Sequence, residues 1–550
     1  MPNITMLSIH DNPIATLPRE MAFASTLQFL DIGSPEMTTW PDSIGTLKAV
    51  WSLTLYKLPM SDLPENAFEG LENSVTSVSF SATKLKCIPK ALRRLKKMTV
   101  VTFLLQLMLT IVTQVYSASV PDDPHPCPVK APCSCDFNKV ECNNLTQTEF
   151  PTFTKVNATW HCWTLVMNYN NNIKRIPTGA FDNLPFCSLQ IANNGFEIME
   201  DGALSGSEPY LFSVFMQHNK FKEIPNEIAR MPNITMLSIN NNPIKTLPQK
   251  MTFTSTLELF DFGSPEMTTW PHSIRTLKSV WSLTLHDSPM SDLPVDAFEG
   301  LEDVITTVSF SSTHLKGIPK ALDRLKKVTD LSITNNIELT SAGIPDDAFS
   351  GMVSLGDIFI NNSSITKVPN LSNNPFLIHL TLTNSPLSQW DEVTLPEQPL
   401  LQVVDFSNTD MEHIPAAVSH IRSLTALFLD KSKLSQIGPK DFTGLQKLKQ
   451  ISFDTTPLTN ISMDAFNDTH ILQGLNLDYT KLSGLPRAIE RLPALRFVGL
   501  QNITIDCTCT ELGWLKNWIG LRQLNVFGGE CRNIRVDLTD YIHQEIPKCS

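Results

Sequence analysis

The sequence predicts a solenoid of short stacked coils. A curved parallel β-sheet lines its concave side, and the convex side is irregular or short-helical. Three observations predict it. A run of the form L-x-L-x-x-N/S/T-x-L-x-x-L/I-P returns about every 24 residues, as in Leu237-Ser-Ile239…Asn242-Pro-Ile244…Leu247-Pro248 and Leu475-Asn-Leu477…Thr480-Lys-Leu482…Leu485-Pro486. A unit that short cannot bury its own apolar face, so it must stack on its neighbours. Within each run apolar and polar residues alternate, which is the period of a strand with one buried face. Cysteines gather at both ends of the repeating region, where a solenoid otherwise exposes its core.

The elements follow in chain order. Residues 1–97 align without gaps to 231–327, with roughly 70 identities at an offset of 230. They read as a partial repeat segment joined from a paralogue, since Met1 stands opposite Met231, inside a coil. Residues 98–119 hold an apolar run from Val100 to Val115 and then Tyr-Ser-Ala-Ser, the shape of a signal peptide cleaved after Ser119. The alternative is a membrane span with Arg93, Arg94, Lys96 and Lys97 on its cytoplasmic side, which would make the chain a tethered receptor. Residues 120–159 form an N-terminal cysteine cap. About fifteen repeats fill 160–502. Their strands centre on Leu165, Leu189, Val214, Leu237, Phe260, Leu283, Val308, Leu331, Ile358, Leu380, Val404, Leu427, Ile451, Leu475 and Val498. Residues 503–550 form a C-terminal cap, with a short amphipathic helix at Trp514-Leu-Lys-Asn-Trp518.

The polar residue after each strand (Asn242, Ser288, Thr313, Thr409) is expected to bond backbone groups of the neighbouring coil, since a buried polar side chain must be satisfied. Asp-Ala-Phe segments such as Asp296-Ala-Phe298, Asp347-Ala-Phe349 and Asp464-Ala-Phe466 place a second apolar column on the convex side. Trp40, Trp270 and Trp390 stand where a repeat leucine would be and read as core.

The formal net charge of −12 leaves no basic stripe, so nucleic acid is not an expected partner. Cys127, Cys133, Cys135 and Cys142 form one cluster, and Cys507, Cys509, Cys531 and Cys549 form another. Cys162 and Cys187 lie about one repeat apart, hence near each other on adjacent coils. Cys87 stands alone. Ten cysteines that can pair read as disulfides in an oxidising compartment. Zinc is not expected, because no paired C-x-x-C knuckles occur and His125 lacks a second histidine at ligand spacing. Sequons at Asn144, Asn157, Asn233, Asn361, Asn362, Asn370, Asn460, Asn467 and Asn502 agree with a secreted glycoprotein, with glycans on turns or the convex side.

No nucleophile elbow, zinc-protease, P-loop or dinucleotide pattern is present, so neither an enzyme nor a cofactor is expected. His161 beside Cys162 is not a catalytic pair, because a disulfide sulfur is no thiolate. One constellation points to binding. Asp430, Asp454 and Asp478 follow the second apolar residue of three consecutive strands, 24 residues apart. Equivalent positions on stacked strands lie about 4.8 Å apart, so they form a carboxylate column at the end of the concave sheet. Such a column is either a solvated face bonding turn amides or a docking strip for a basic or metal-bridged ligand. Phe428, Asn476 and Tyr479 stand at nearby outward positions, and Phe359 at the matching position of an earlier coil.

These residues resemble extracellular leucine-rich repeat proteins with cysteine-capped ends. Cys127-Pro-(x)4-Cys133-x-Cys135-(x)6-Cys142 looks like the N-terminal flanking cap, and Asp506-Cys507-x-Cys509 with Trp514, Trp518, Cys531 and Cys549 looks like the C-terminal one. The resemblance implies the pairs Cys127–Cys135, Cys133–Cys142, Cys507–Cys531 and Cys509–Cys549. The C-P…A-P-C-S-C cap and Asn-rich first coils are loosely similar to arthropod secreted proteins resembling the non-catalytic subunit of a shrimp luciferase. The resemblance implies a leucine-rich repeat solenoid that binds an extracellular protein or serves as a scaffold subunit of a complex.

Overall fold

The computed structural model describes residues 127–136, 139–154, 162–181, 184–390, 398–518 and 524–549, and a discontinuous set between 6 and 102. They fall into two units, 1–122 and 123–550, each with its own apolar core. Cys87, Asn157 and residues 103–119 lie outside the described residues.

In the larger unit one sheet of eighteen strands runs the length of the repeats. Every predicted strand centre occupies the same register position: Leu165 pairs with Leu189, Leu189 with Val214, and so on to Leu475 with Val498. The centres are buried because alternation sends them inward, and their neighbours face out. The sheet continues one coil further at each end, to Val140 and Val526. Its one antiparallel pair joins Ser134–Asp136 to Lys139–Glu141 in the N-terminal cap.

Just past each strand centre one residue bends the backbone, at the strand's end or, in Asp330–Thr340, Asp357–Ser364 and Phe497–Ile505, within it. Among the described residues fifteen of these other than glycine, including Asn144, Asn193, Asn335, Lys431 and Tyr479, have φ between 45° and 63°. Asparagine recurs there because it tolerates this left-handed conformation. The bend aims the residue's N–H at the next coil. Tyr169 donates to the Asn193 carbonyl at 2.9 Å, and Tyr479 to that of Gln501 at 2.8 Å.

The polar ladder divides along the chain. Asn242 Nδ2 donates to the Met216 carbonyl of the preceding coil at 2.9 Å, and its Oδ1 accepts the Phe221 N–H at 3.1 Å. Ser288 also reaches a preceding coil, at Met267, and Thr313 bonds Asn336 of the following coil. The backbone of Thr409 bridges Ser385 of the preceding coil, but its side chain does not reach a neighbour. Its hydroxyl bonds the Phe406 carbonyl of its own coil at 2.7 Å, as Thr456 does to Phe453 and Thr480 to Leu477. Thr313 crosses to the next coil because the long Asn336 side chain meets it there, whereas these three hydroxyls turn back on their own coil.

On the convex side Phe298, Phe349 and Phe466 are fully buried, and Phe442 stacks on Phe466 at 5.4 Å. Short 3₁₀ turns at Lys320–Arg324, Ala416–His420 and Arg487–Arg491 each follow a proline that presets the entering angle. Trp270 is buried and donates to the Ala297 carbonyl at 3.0 Å, and Trp390 packs edge-on against Phe406. In the C-terminal cap the expected helix is an α-turn at Cys509–Leu512 that tightens into a 3₁₀ turn at Gly513–Asn517.

The smaller unit repeats this local structure. Its strands Phe29–Ile32, Ser52–Tyr56 and Ser77–Ser81 match Leu259–Phe262, Ser282–His286 and Thr307–Ser311. Trp40 donates to Ala67 at 2.8 Å, the counterpart of the Trp270 bond. The first residues of the apolar run at 98–119 continue the same pattern: Val100–Thr102 is a strand paired parallel to Ser77–Ser81. Among the described residues no helix is long and apolar enough to cross a membrane.

Candidate functional site: the concave sheet

Five disulfides close the larger unit. Cys127 bonds Cys135 and Cys133 bonds Cys142 in the first cap, and Cys507 bonds Cys531 and Cys509 bonds Cys549 in the last. Cys162 bonds Cys187 across adjacent coils. A disulfide limits the unfolded chain, and the four in the caps lie where a stacked coil lacks a neighbour on one side.

The sheet's outward face is acidic. From Lys139 to Phe527 its outward positions carry Glu141, Asp261, Asp330, Asp357, Asp405, Asp430, Asp454 and Asp478. The only lysine or arginine among them is Lys139, which pairs with Glu141. Histidines stand beside acids in mid-sheet. His379 contacts Asp357, whose register partner is Asp330. Burial, followed by the charge of Asp357, pushes Asp330 up to about 6, against opposing effects from Thr329 and His379. Burial also raises Asp261 and lowers His286, favouring the neutral form of each.

Asp430, Asp454 and Asp478 form the expected column just past three consecutive strands, half-buried. Asp430 Oδ1 accepts the Asp454 N–H at 2.8 Å and also binds the Ser452 hydroxyl. Asp478 Oδ1 accepts the Gln501 N–H at 2.7 Å. Asp454 Oδ1 accepts the Thr455 hydroxyl at 2.9 Å. Two of the three thus bond the next coil's amide, so the ladder role is real. It does not need a charge. At the same position in the first coils, Asn143 accepts the Asn168 N–H at 2.8 Å, and Asn168 accepts that of Ala192 at 2.9 Å. Asparagine makes the same bond uncharged. Asp430 and Asp478 make it at an electrostatic cost: burial first, and then the charge of Asp454, raise the pKa of each. Among the described residues no group of three or more histidine, cysteine or carboxylate side chains could hold a metal ion.

Phe428 and Asn476 face outward in this region, two strands apart in one column. Tyr479 does not lie on the strand face. It is the left-handed residue beyond the strand, 51% exposed on the coil edge. Phe359 faces out but is separated from Phe428 by the strands of Thr381 and Asp405, so it is not part of the same patch. Two aromatics not anticipated are central. Phe497 and Phe527 are 47% and 55% exposed, and their rings stack at 6.0 Å and 22°. Phe497 could have been found, since it directly precedes the strand centre Val498. Phe527 lies in the cap, where the repeat pattern has ended.

The sequons separate by place. Asn144, Asn362 and Asn502 are exposed left-handed turn residues, and Asn233, Asn460 and Asn467 are exposed elsewhere on the coil surface. Asn361 departs from the expected turn or convex position. It lies within the concave strand Asp357–Ser364, and its Nδ2 donates to Thr383 Oγ1 at 2.7 Å. Asn370 is half-buried and accepts the Ser372 N–H at 3.0 Å.

The BspA type leucine rich repeat region matches residues 157–274 and 401–492, in six copies. Human podocan-like protein 1 is 24% identical over 376 residues, covering 67% of this chain and 62% of that protein. Mouse podocan is 26% identical over 211 residues, 34% of each chain, and bovine osteomodulin 24% over 230, covering 39% and 53%. The chain thus spans less than two thirds of the length of these relatives. A solved leucine-rich repeat protein of Leptospira interrogans superposes with TM-score 0.43 at 17% identity, covering 86% of this chain and 96% of that one. A chain from an octameric complex of Latrophilin 3, Unc5D and the leucine-rich repeats of FLRT2 gives 0.45 at 18% identity, covering 60% and 95%. The repeat geometry and the matched repeats make the fold a leucine-rich repeat solenoid.

Proposed function

We propose that this leucine-rich repeat solenoid is a secreted, non-enzymatic binding protein that recognises another extracellular protein through its concave sheet. The observation that carries the reading is charge beyond what the fold requires. Asn143 and Asn168 bond the next coil without charge, whereas Asp430 and Asp478 do so as acids on a face that already repels them. Rigid stacked coils hold that face in place before binding, so little ordering entropy is lost on association. Bonded cysteines and exposed sequons support an oxidising, extracellular setting.

The test is hydroxyl-radical footprinting of the protein in its native extracellular fluid against the purified protein alone. The reading expects protection at Phe428 and its outward neighbours, with the convex Phe298 side unchanged. Protection confined to the convex side overturns it. On the same reading the mature chain starts at Val120. N-terminal sequencing of protein from the fluid checks this, and a chain retaining 1–119 recovered only from membranes contradicts secretion.

A further inference from the structure

We propose that the C-terminal end of the concave sheet seats an arginine-bearing extended segment of the partner protein, with the guanidinium against the Phe497–Phe527 pair and its charge met by Asp478. The inference rests on the concave reading above and names the chemistry of its partner.

The rings come first. Phe497 and Phe527 occupy outward positions on the adjacent strands Phe497–Ile505 and Asn525–Cys531, each about half exposed. They stack on each other at 6.0 Å, which presents aromatic faces to solvent at a fixed spacing. Large exposed aromatics grouped on a rigid sheet mark an interface.

The space beside them comes second. The register partner of Phe497 on the preceding strand is Gly474, and that of Phe527 is Gly499. The flank of Phe497 is bare: a Cβ on Gly474 would meet only Gln450 Cγ, at 3.8 Å. The flank of Phe527 is not, because Asn476 Oδ1 and Asp478 Oδ1 already fill the space a Cβ on Gly499 would take, the latter 2.7 Å from it. The trough therefore opens at Gly474, and the Asp478 carboxylate stands beside the Phe527 ring. An extended chain fits such a trough because its side chains alternate at the strand period.

Charge selects the occupant. Asp454 and Asp478 flank the trough, Asp430 and Asp405 continue the acidic face, and no lysine or arginine stands at an outward position from Ala426 to Phe527. An acidic segment is repelled, and a purely aliphatic one leaves the carboxylates unmet. Arginine fits better than lysine, because its planar guanidinium stacks on a ring and is less strongly hydrated. The C-terminal region already uses that geometry once: Arg487 lies 5.9 Å over the Trp514 ring. Among the described residues Phe497 and Phe527 have no such cation.

The probe is a fluorescein-labelled nonapeptide of alternating arginine and glycine, compared with its citrulline counterpart, which keeps the shape and loses the charge. Fluorescence anisotropy is read with the whole protein at low and physiological salt. The arginine peptide is expected to bind at least tenfold tighter than the citrulline peptide. The F497A/F527A variant should lose at least fivefold, D478N at least threefold, and F359A, on a distant coil, nothing. D478N leaves the rings in place, so the test does not depend on the double variant folding. Equal binding of the two peptides, or wild-type binding by both F497A/F527A and D478N, overturns the proposal. So does a concentration-dependent dimer in sedimentation that F497A/F527A abolishes, since the occupant is then a second copy. Footprint protection elsewhere on the concave sheet, untouched by these variants, overturns this seat while leaving the concave reading standing.

Discussion

The first coils and the last coils of the larger unit meet the same structural demands with different side chains. In the first, Asn170, Asn194, Asn219 and Asn242 form a buried ladder whose amides reach neighbouring coils. In the last, the hydroxyls of Thr409, Thr456 and Thr480 bond their own coil. At the outward end of the strands the contrast reverses in charge, with Asn143 and Asn168 in the first coils and Asp430 and Asp478 in the last. The N-terminal coils are thus tied to one another by neutral amides. The C-terminal coils accept weaker coil-to-coil bonding and repelling carboxylates, which is what a surface specialised for a ligand looks like.

The largest effect should come from breaking the amide ladder. Asn194 Nδ2 donates to the Met167 and Ala192 carbonyls, and its Oδ1 accepts from Asn170. Asn194→Ala leaves buried backbone groups unpaired and should cost about 3 kcal/mol. Thr456→Val removes one local bond and should cost about 1 kcal/mol. Denaturant unfolding followed by circular dichroism reads both, and equal losses would dissolve the distinction between the two ends.

The next effect sharpens the outward contrast. Asn143→Asp with Asn168→Asp puts the C-terminal chemistry on the N-terminal coils. The fold should hold, because the acceptor remains, with a small drop in melting temperature at low salt that 0.5 M NaCl removes. A drop that salt does not relieve would mean that the two positions are not equivalent.

A smaller effect is pH-dependent. Asp330 holds its proton more tightly in the folded state, with a pKa of about 6 against 3.8 in the unfolded chain. Its contribution to stability is therefore fully present below about pH 4 and is lost as pH rises through about 6. Asp330→Asn should match wild type at pH 4 and be the more stable protein at pH 7.5. Thermal melts at the two pH values check this, and a variant that is no more stable at pH 7.5 than at pH 4, relative to wild type, refutes the shift.

Much of this was legible in the sequence because a repeat states its register many times over. Leu165 through Val498 could be placed on one inward column, since each is checked by its neighbours 24 residues away. The column of Asp430, Asp454 and Asp478 was legible for the same reason. What the period could not resolve was reach. Whether a threonine hydroxyl bonds its own coil, as Thr409 does, or the next, as Thr313 does, depends on what the neighbouring coil presents, not on pattern. The period puts Tyr479 on the strand face, but its left-handed backbone carries it to the edge. Phe527 was missed because the cap's strand repeats only one apolar position, Val526.

The most direct test of the central claim is the triple variant Asp430→Asn, Asp454→Asn, Asp478→Asn, with melting temperature and partner affinity measured on the same preparation. Asparagine keeps every acceptor used by the ladder and removes the charge. The account predicts a melting temperature equal to or above wild type and an affinity for the basic partner reduced at least tenfold. A lower melting temperature with unchanged affinity would contradict it, because the carboxylates would then serve the fold and not the ligand.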